Sequence, residues 1–171
     1  GGLYVPQEFP HFTARQFEDG AELPQIGMRL LAPFAAGDPL ADELPAICKE
    51  AFDFPAPLAS LPNAPAPLSV LELFHGPTGA FKDFGARFLA ACMERIQRGQ
   101  RRKLTILVAT SGDTGSAVAA AFHGKPWVDV AVLYPQGKVS DRQAQQLACW
   151  GGNVRTFAVR GTFDDCQRVV K

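Results

Sequence analysis

Four apolar runs punctuate the chain from residue 68 onward: "LSVLELF" (68–74), "LTILVAT" (104–110), "VDVAVLYP" (128–135) and "NVRTFAV" (153–159). Each is short enough for a buried strand, and each gives way to small or polar residues. The stretches that follow have helical rhythm: from Lys82 to about Gln97, from "SGDTGS" through Phe122, "SDRQAQQLACW" (140–150) and "TFDDCQRVV" (162–170). In the last two, Ser140 with Gln143 and Thr162 with Asp165 stand three apart, the spacing of a helix capping box. Strands alternating with helices of about ten residues predict an α/β fold of βαβ units on a parallel sheet. The chain stops inside the last of these helices, so more chain is expected to belong to the fold.

The first part of the chain has a different pattern. A short extended piece is expected from Gly2 to Val5, then helices. "LPQIGMRLLAPF" (23–34) carries Ile26, Leu30 and Leu31 at helical spacing, with Pro33 expected to end it. A second helix should end near "ICKEAF" (47–52), starting either from an Asp38–Pro39 cap or with Pro45 in its first turn. Residues 53–69, "DFPAPLASLPNAPAPLS", hold five prolines and no periodicity, and read as a connecting segment. The expected organisation is thus a mostly helical region over 1–52, a proline-rich linker over 53–69, and an α/β region over 70–171.

Composition adds exclusions more than identity. With 171 residues, 47% of them apolar, and 17 acidic against 17 basic side chains, the chain has ordinary globular make-up. A formal net charge of zero gives no support for nucleic acid or an anionic membrane surface as a partner. No apolar run reaches membrane-spanning length. Cys48, Cys92, Cys149 and Cys166 are widely spaced, and the three histidines (His11, His75, His123) show no ligand spacing. Reduced, mostly buried thiols in a cytoplasmic protein are expected, with no metal. The chain begins "GGLYVP" without methionine, which suggests processing, trimming or partial representation.

Two stretches carry candidate chemistry. In "HGPTGAFKDFG" (75–85) a helix starting at Lys82 would place Ala86, Leu89, Met93 and Ile96 on the same face as the lysine. Asp83, Arg87, Glu94 and Arg98 would lie opposite. On that register Lys82 heads the apolar face, where desolvation would turn its ammonium into a reactive amine. On a later register it is a loop lysine reaching water. In "ATSGDTGS" (109–116) an apolar strand runs through hydroxyl residues and two glycines into a helix. Glycines permit close backbone approach, and N–H groups at a helix start attract a carboxylate or phosphate. The same stretch also reads as a plain strand-to-helix turn capped by Ser111 or Asp113. Lys138, in "YPQGKVS" (134–140), suits a solvated loop better than an anion contact, and "GGN" (151–153) is a helix stop.

Together, "LELFHGPTGAFKDFGARF", "ILVATSGDTGSAVAAAF", "VLYPQGKVS" and "GGNVRTFAVRGTFDDCQRVV" resemble the threonine synthases, as do "GGLYVP" and the helical region before the prolines. These are pyridoxal-phosphate enzymes of the tryptophan-synthase-β-like fold, fold type II. The resemblance implies an enzyme that converts O-phospho-L-homoserine and water to L-threonine and phosphate. It implies that Lys82 forms the internal aldimine with pyridoxal 5'-phosphate and serves as the main acid/base group. Thr110, Ser111, Gly112, Thr114 and Gly115 would hold the substrate's carboxylate. Asp113 stands where many relatives have an asparagine facing the cofactor's ring hydroxyl. Gly79 replaces a leucine common in the family, with little consequence expected. The family's phosphate-binding loop, of the type Gly-Asn-Phe-Gly, is absent, so the chain looks like the first portion of a longer enzyme. The alternatives are a related fold type II lyase or dehydratase, a paralogue acting on another phosphorylated substrate, or a non-catalytic fragment.

Overall fold

The amphipathic rhythm of residues 23–34 produces α1 (Leu23–Ala35), with Pro24 in its first turn. Pro33 lies inside this helix, contrary to expectation. It stands two residues from the end, so its missing N–H and its clash with the preceding turn affect only the final turn. The computed structural model describes residues 4–18 and 20–171, and Gly2 and Leu3 of the expected extended piece lie outside them. Tyr4 and Val5 are exposed and belong to no regular element.

Both candidate starts for the second helix have a role. Pro45 sits in the first turn of α2 (Leu44–Ala51), where an N–H would have no intrahelical partner. Asp38 accepts from the Leu40 N–H at 2.8 Å and opens the turn that leads, through a short 3-10 segment at Ala41–Glu43, into α2. Leu44, Ile47, Cys48 and Ala51 are buried where α2 packs with α1. These elements form one compact unit, which ends at Asp53.

A second unit begins at Phe54. The run 68–74 does not join the parallel sheet, which corrects the four-strand expectation. Only Ser69–Leu71 (β2) is a strand, and it pairs antiparallel with Leu58–Ser60 (β1) from the proline-rich stretch, Ala59 opposite Val70. Its backbone is satisfied locally: Glu72 N–H donates to the Pro57 carbonyl and Leu61 N–H to the Leu68 carbonyl, both at 2.9 Å. A proline cannot donate but its carbonyl still accepts, so a short hairpin forms among residues that showed no period. Val70 and Leu71 remain exposed.

The remaining strands pair as predicted. β3 (Leu104–Ala109), β4 (Val128–Pro135) and β5 (Val154–Val159) form a parallel sheet in the order β3-β4-β5, Ile106 opposite Val130 and Val130 opposite Val154. Between them run α4 (Asp113–Phe122) and α5 (Asp141–Ala148), while α3 (Lys82–Gln97) packs on α4 and α6 (Phe163–Val170) on β3 and β4. The core gathers Val128, Val130 and Val132 with Val154, Phe122, Leu147 and Ala90. "GGN" does more than stop a helix. Asn153 donates its amide to the carbonyls of Phe122 (2.9 Å) and Val128 (3.0 Å) and accepts from Gly124 N–H (2.8 Å), tying the α4–β4 turn to the start of β5.

Of the four cysteines, all free, Cys48 and Cys166 are buried, Cys92 is half-buried and Cys149 is exposed. Burial, and secondarily the neighbouring Asp165 charge, pushes the Cys166 thiol up. Among the described residues no helix is long and apolar enough to cross a membrane.

Candidate active site

α3 begins at Lys82, as one of the two sequence registers predicts, but only part of the expected stripe is inside, Ala86 being buried and Met93 packed on the core. Asp83, Ala86, Ala90 and Ala91 face inward, whereas Lys82, Leu89 and Ile96 are exposed. Alanines allow α3 to pack close to α4, whose own Ala117 and Ala119 are buried, so the larger side chains are left outside. Asp83, expected on the solvent side, is fully buried because its carboxylate is satisfied. Oδ2 accepts from the Thr78 N–H at 2.9 Å and Oδ1 from the Thr78 hydroxyl at 2.8 Å.

Those two bonds fix the loop that presents the lysine. Gly76, Pro77, Thr78 and Gly79 make a turn closed by Gly79 N–H donating to the Gly76 carbonyl at 3.1 Å. Gly79 has φ +71°, in the left-handed region that favours glycine. A Cβ there would make only an ordinary contact, 3.9 Å from the Phe74 carbonyl oxygen, so the strain of a side chain would be in the backbone. The Lys82 Nζ stands 4.5 Å from the centroid of the Phe81 ring, in cation–π contact.

The second stretch lies at the carboxyl end of β3, where ligands of open parallel sheets bind. Its residues divide by side. Thr110, Gly112 and Gly115 are buried, while Ser111, Asp113 and Thr114 are exposed. The Thr110 hydroxyl accepts from Gly112 N–H (3.0 Å) and Gly115 N–H (2.9 Å) and donates to the Gly112 carbonyl (3.1 Å). Thr110, Gly112 and Gly115 thus shape the loop from within, with their hydroxyl and N–H groups already engaged. Ser111, Asp113 and Thr114 present their side chains outward. Among the described residues no hydrogen bond takes the N–H groups of Asp113 and Thr114, which point out at the start of α4. Gly112, with φ +147°, has no room for a Cβ beneath the Gln143 amide, and a Cβ at Gly115 would strike Thr110 and Leu147.

Helix α5 connects the two stretches. Its predicted cap is present, Ser140 Oγ accepting from Gln143 N–H at 3.3 Å. The Gln143 Nε2 donates to Asp113 Oδ1 at 3.1 Å, and the Gln146 Nε2 to the Thr78 carbonyl at 3.4 Å. Neither glutamine, nor Asp83 or Thr78, was legible as a site residue. The usable signal was the capping-box glutamine, whose amide has a donor left over. Lys82 and Thr114 line one open groove of about 360 Å³, walled by Phe81, Phe84, Leu89 and Val118. Lys138 lies exposed in the turn after β4.

An exposed amine heading an apolar groove that Thr114 also lines, at the start of α4, suits a lysine-linked aromatic cofactor. The chain belongs to the pyridoxal-phosphate dependent enzymes, whose family profile matches residues 51–171. Threonine synthase of Escherichia coli strain K12 is 44% identical over 173 residues, covering 99% of this chain and 39% of that protein. The PLP-bound threonine synthase from Brucella melitensis superposes with a TM-score of 0.82 at 38% identity, covering 99% of this chain and 38% of its own. The yeast threonine synthase does so with a TM-score of 0.86 at 34% identity, covering 99% and 37%. The chain therefore spans about 39% of the length of the curated relatives it matches. The residues present fit the family's cofactor: an accessible Nζ that can react with an aldehyde carbon, and apolar walls that suit a planar ring.

Proposed function

We propose that the protein to which this chain belongs converts O-phospho-L-homoserine and water to L-threonine and phosphate, with pyridoxal phosphate held through Lys82. The supporting observation is that Lys82 and Thr114, from two stretches 32 positions apart in sequence, line one groove. The similarity to threonine synthases over nearly the whole chain supports the choice of substrate.

When bound, the cofactor supplies an electron sink for negative charge developing on the amino-acid carbons. The chain's own residues do the rest. Lys82 Nζ, at the head of the groove, is placed to hold the cofactor covalently and then to move protons at the substrate carbons. The Ser111 and Thr114 hydroxyls, with the N–H groups of Asp113 and Thr114, receive the substrate carboxylate at the positive end of α4. Thr110, Gly112 and Gly115 are positioning residues that keep those groups facing outward. Asp113, next to Thr114 in the chain, would meet a polar substituent of the ring. Phe81, Leu89 and Val118 would give the ring an apolar wall to pack against. Such an enzyme works in the cytoplasm, where its free thiols stay reduced.

Assays of the full-length protein test this reading. Phosphate release from O-phospho-L-homoserine is expected, and Lys82→Ala should abolish both turnover and the visible absorbance of bound cofactor. Ammonia release from serine or threonine with no phosphate release would assign it instead to the dehydratases. Full activity of Lys82→Ala would overturn the role of the lysine.

A further inference from the structure

We infer that Gln143 is a positioning residue for the Ser-Gly-Asp-Thr-Gly loop, holding the Asp113 carboxylate in the orientation the ligand meets. The inference rests on the proposed reading of that loop as the ligand-binding edge of the site.

The orientation of the Gln143 amide follows from its partners. Its Oε1 lies 3.1 Å from the Ser140 backbone nitrogen, which can only donate, and 3.0 Å from the Ser140 hydroxyl. The oxygen must therefore face Ser140, which turns Nε2 toward Asp113 Oδ1, 3.1 Å away. An N–H donor is what an ionised carboxylate accepts. The amide also lies directly over Gly112, so closely that a Cβ there would collide with it. One side chain thus completes the cap of α5, roofs the backbone at Gly112, and fixes one oxygen of Asp113. The other Asp113 oxygen and the outward groups of Ser111 and Thr114 are left to the ligand. A merely structural cap would need only the Oε1 half of this arrangement.

The two halves can be separated. Glutamate at this capping-box position keeps the acceptor for the Ser140 N–H, but it sets a carboxylate against Asp113. In the full-length protein, Gln143→Glu is expected to leave the melting temperature nearly unchanged. It should weaken pyridoxal-phosphate affinity, read by absorbance titration, or raise KM for O-phospho-L-homoserine, by about tenfold or more, with a smaller change in kcat. The isosteric Gln143→Met, which cannot donate, should shift the same quantities in the same direction and covers the case in which the glutamate variant does not fold. Wild-type affinity and KM in both Gln143→Glu and Gln143→Met, or an equal fall in kcat with KM unchanged, overturns the inference. Thr114→Ala separates it from the reading on which it rests. If Thr114→Ala raises KM while the Gln143 variants do not, only the role of Gln143 falls. If all three are silent, the loop is not the ligand-binding edge and both fall.

Discussion

Lys82 and Asp83 are adjacent in the chain and opposite in fate. The carboxylate is buried because two donors of one residue, Thr78, meet it at 2.9 and 2.8 Å. The amine is exposed beside an aromatic ring. Helical spacing correctly predicted where α3 begins, but the apolar face it assigned is only partly inside, with Ala86 buried and Leu89 and Ile96 exposed. Alanines, which permit the closest helix approach, took the inside. Burial of Asp83 was not legible for a related reason: a charged residue goes inside only when paired, and its partner sits in a loop without periodicity. Removing it should loosen the loop that presents Lys82. Asp83→Ala is expected to destabilise the protein by about 2–3 kcal/mol, since it leaves the Thr78 N–H without its charged acceptor. A loss under about 0.5 kcal/mol in denaturant unfolding, the range of neutral surface changes, would contradict this.

Elements whose signals are local were the most legible. Both capping boxes form as their three-residue spacing predicts, at the starts of α5 and α6. The β1–β2 hairpin was not legible, because its pairing depends on carbonyls of a proline-rich segment that carries no period of its own. The α6 cap also carries a pH dependence. The Thr162 backbone N–H, then its hydroxyl, then Arg168 hold the Asp165 carboxyl below its usual 3.8, at about 2. A depressed folded-state value means the cap contributes fully above the usual carboxylate range and is lost as pH falls through about 2. Titration of the Thr162 amide shift by NMR should accordingly have its midpoint near 2. A midpoint at or above 3.8 would mean the carboxylate does not hold that N–H.

At the scale of the molecule, the α/β class and the parallel pairing of the three strands followed from alternation of apolar runs with helical segments. Placing a ligand at the carboxyl end of β3 followed from the same topology. What the sequence alone did not provide was the juxtaposition through α5, whose Gln143 and Gln146 reach both stretches across separations of 30 and 68 positions. Such contacts leave no periodic trace. The central claim, that these stretches form one pyridoxal-phosphate site built on Lys82, has a direct test. The full-length protein is loaded with pyridoxal phosphate, reduced with borohydride, digested, and the pyridoxyl-bearing peptide sequenced. The label is expected on Lys82, in stoichiometric amount. Label on Lys103, Lys125 or Lys138 instead, or none on any lysine, would contradict the account.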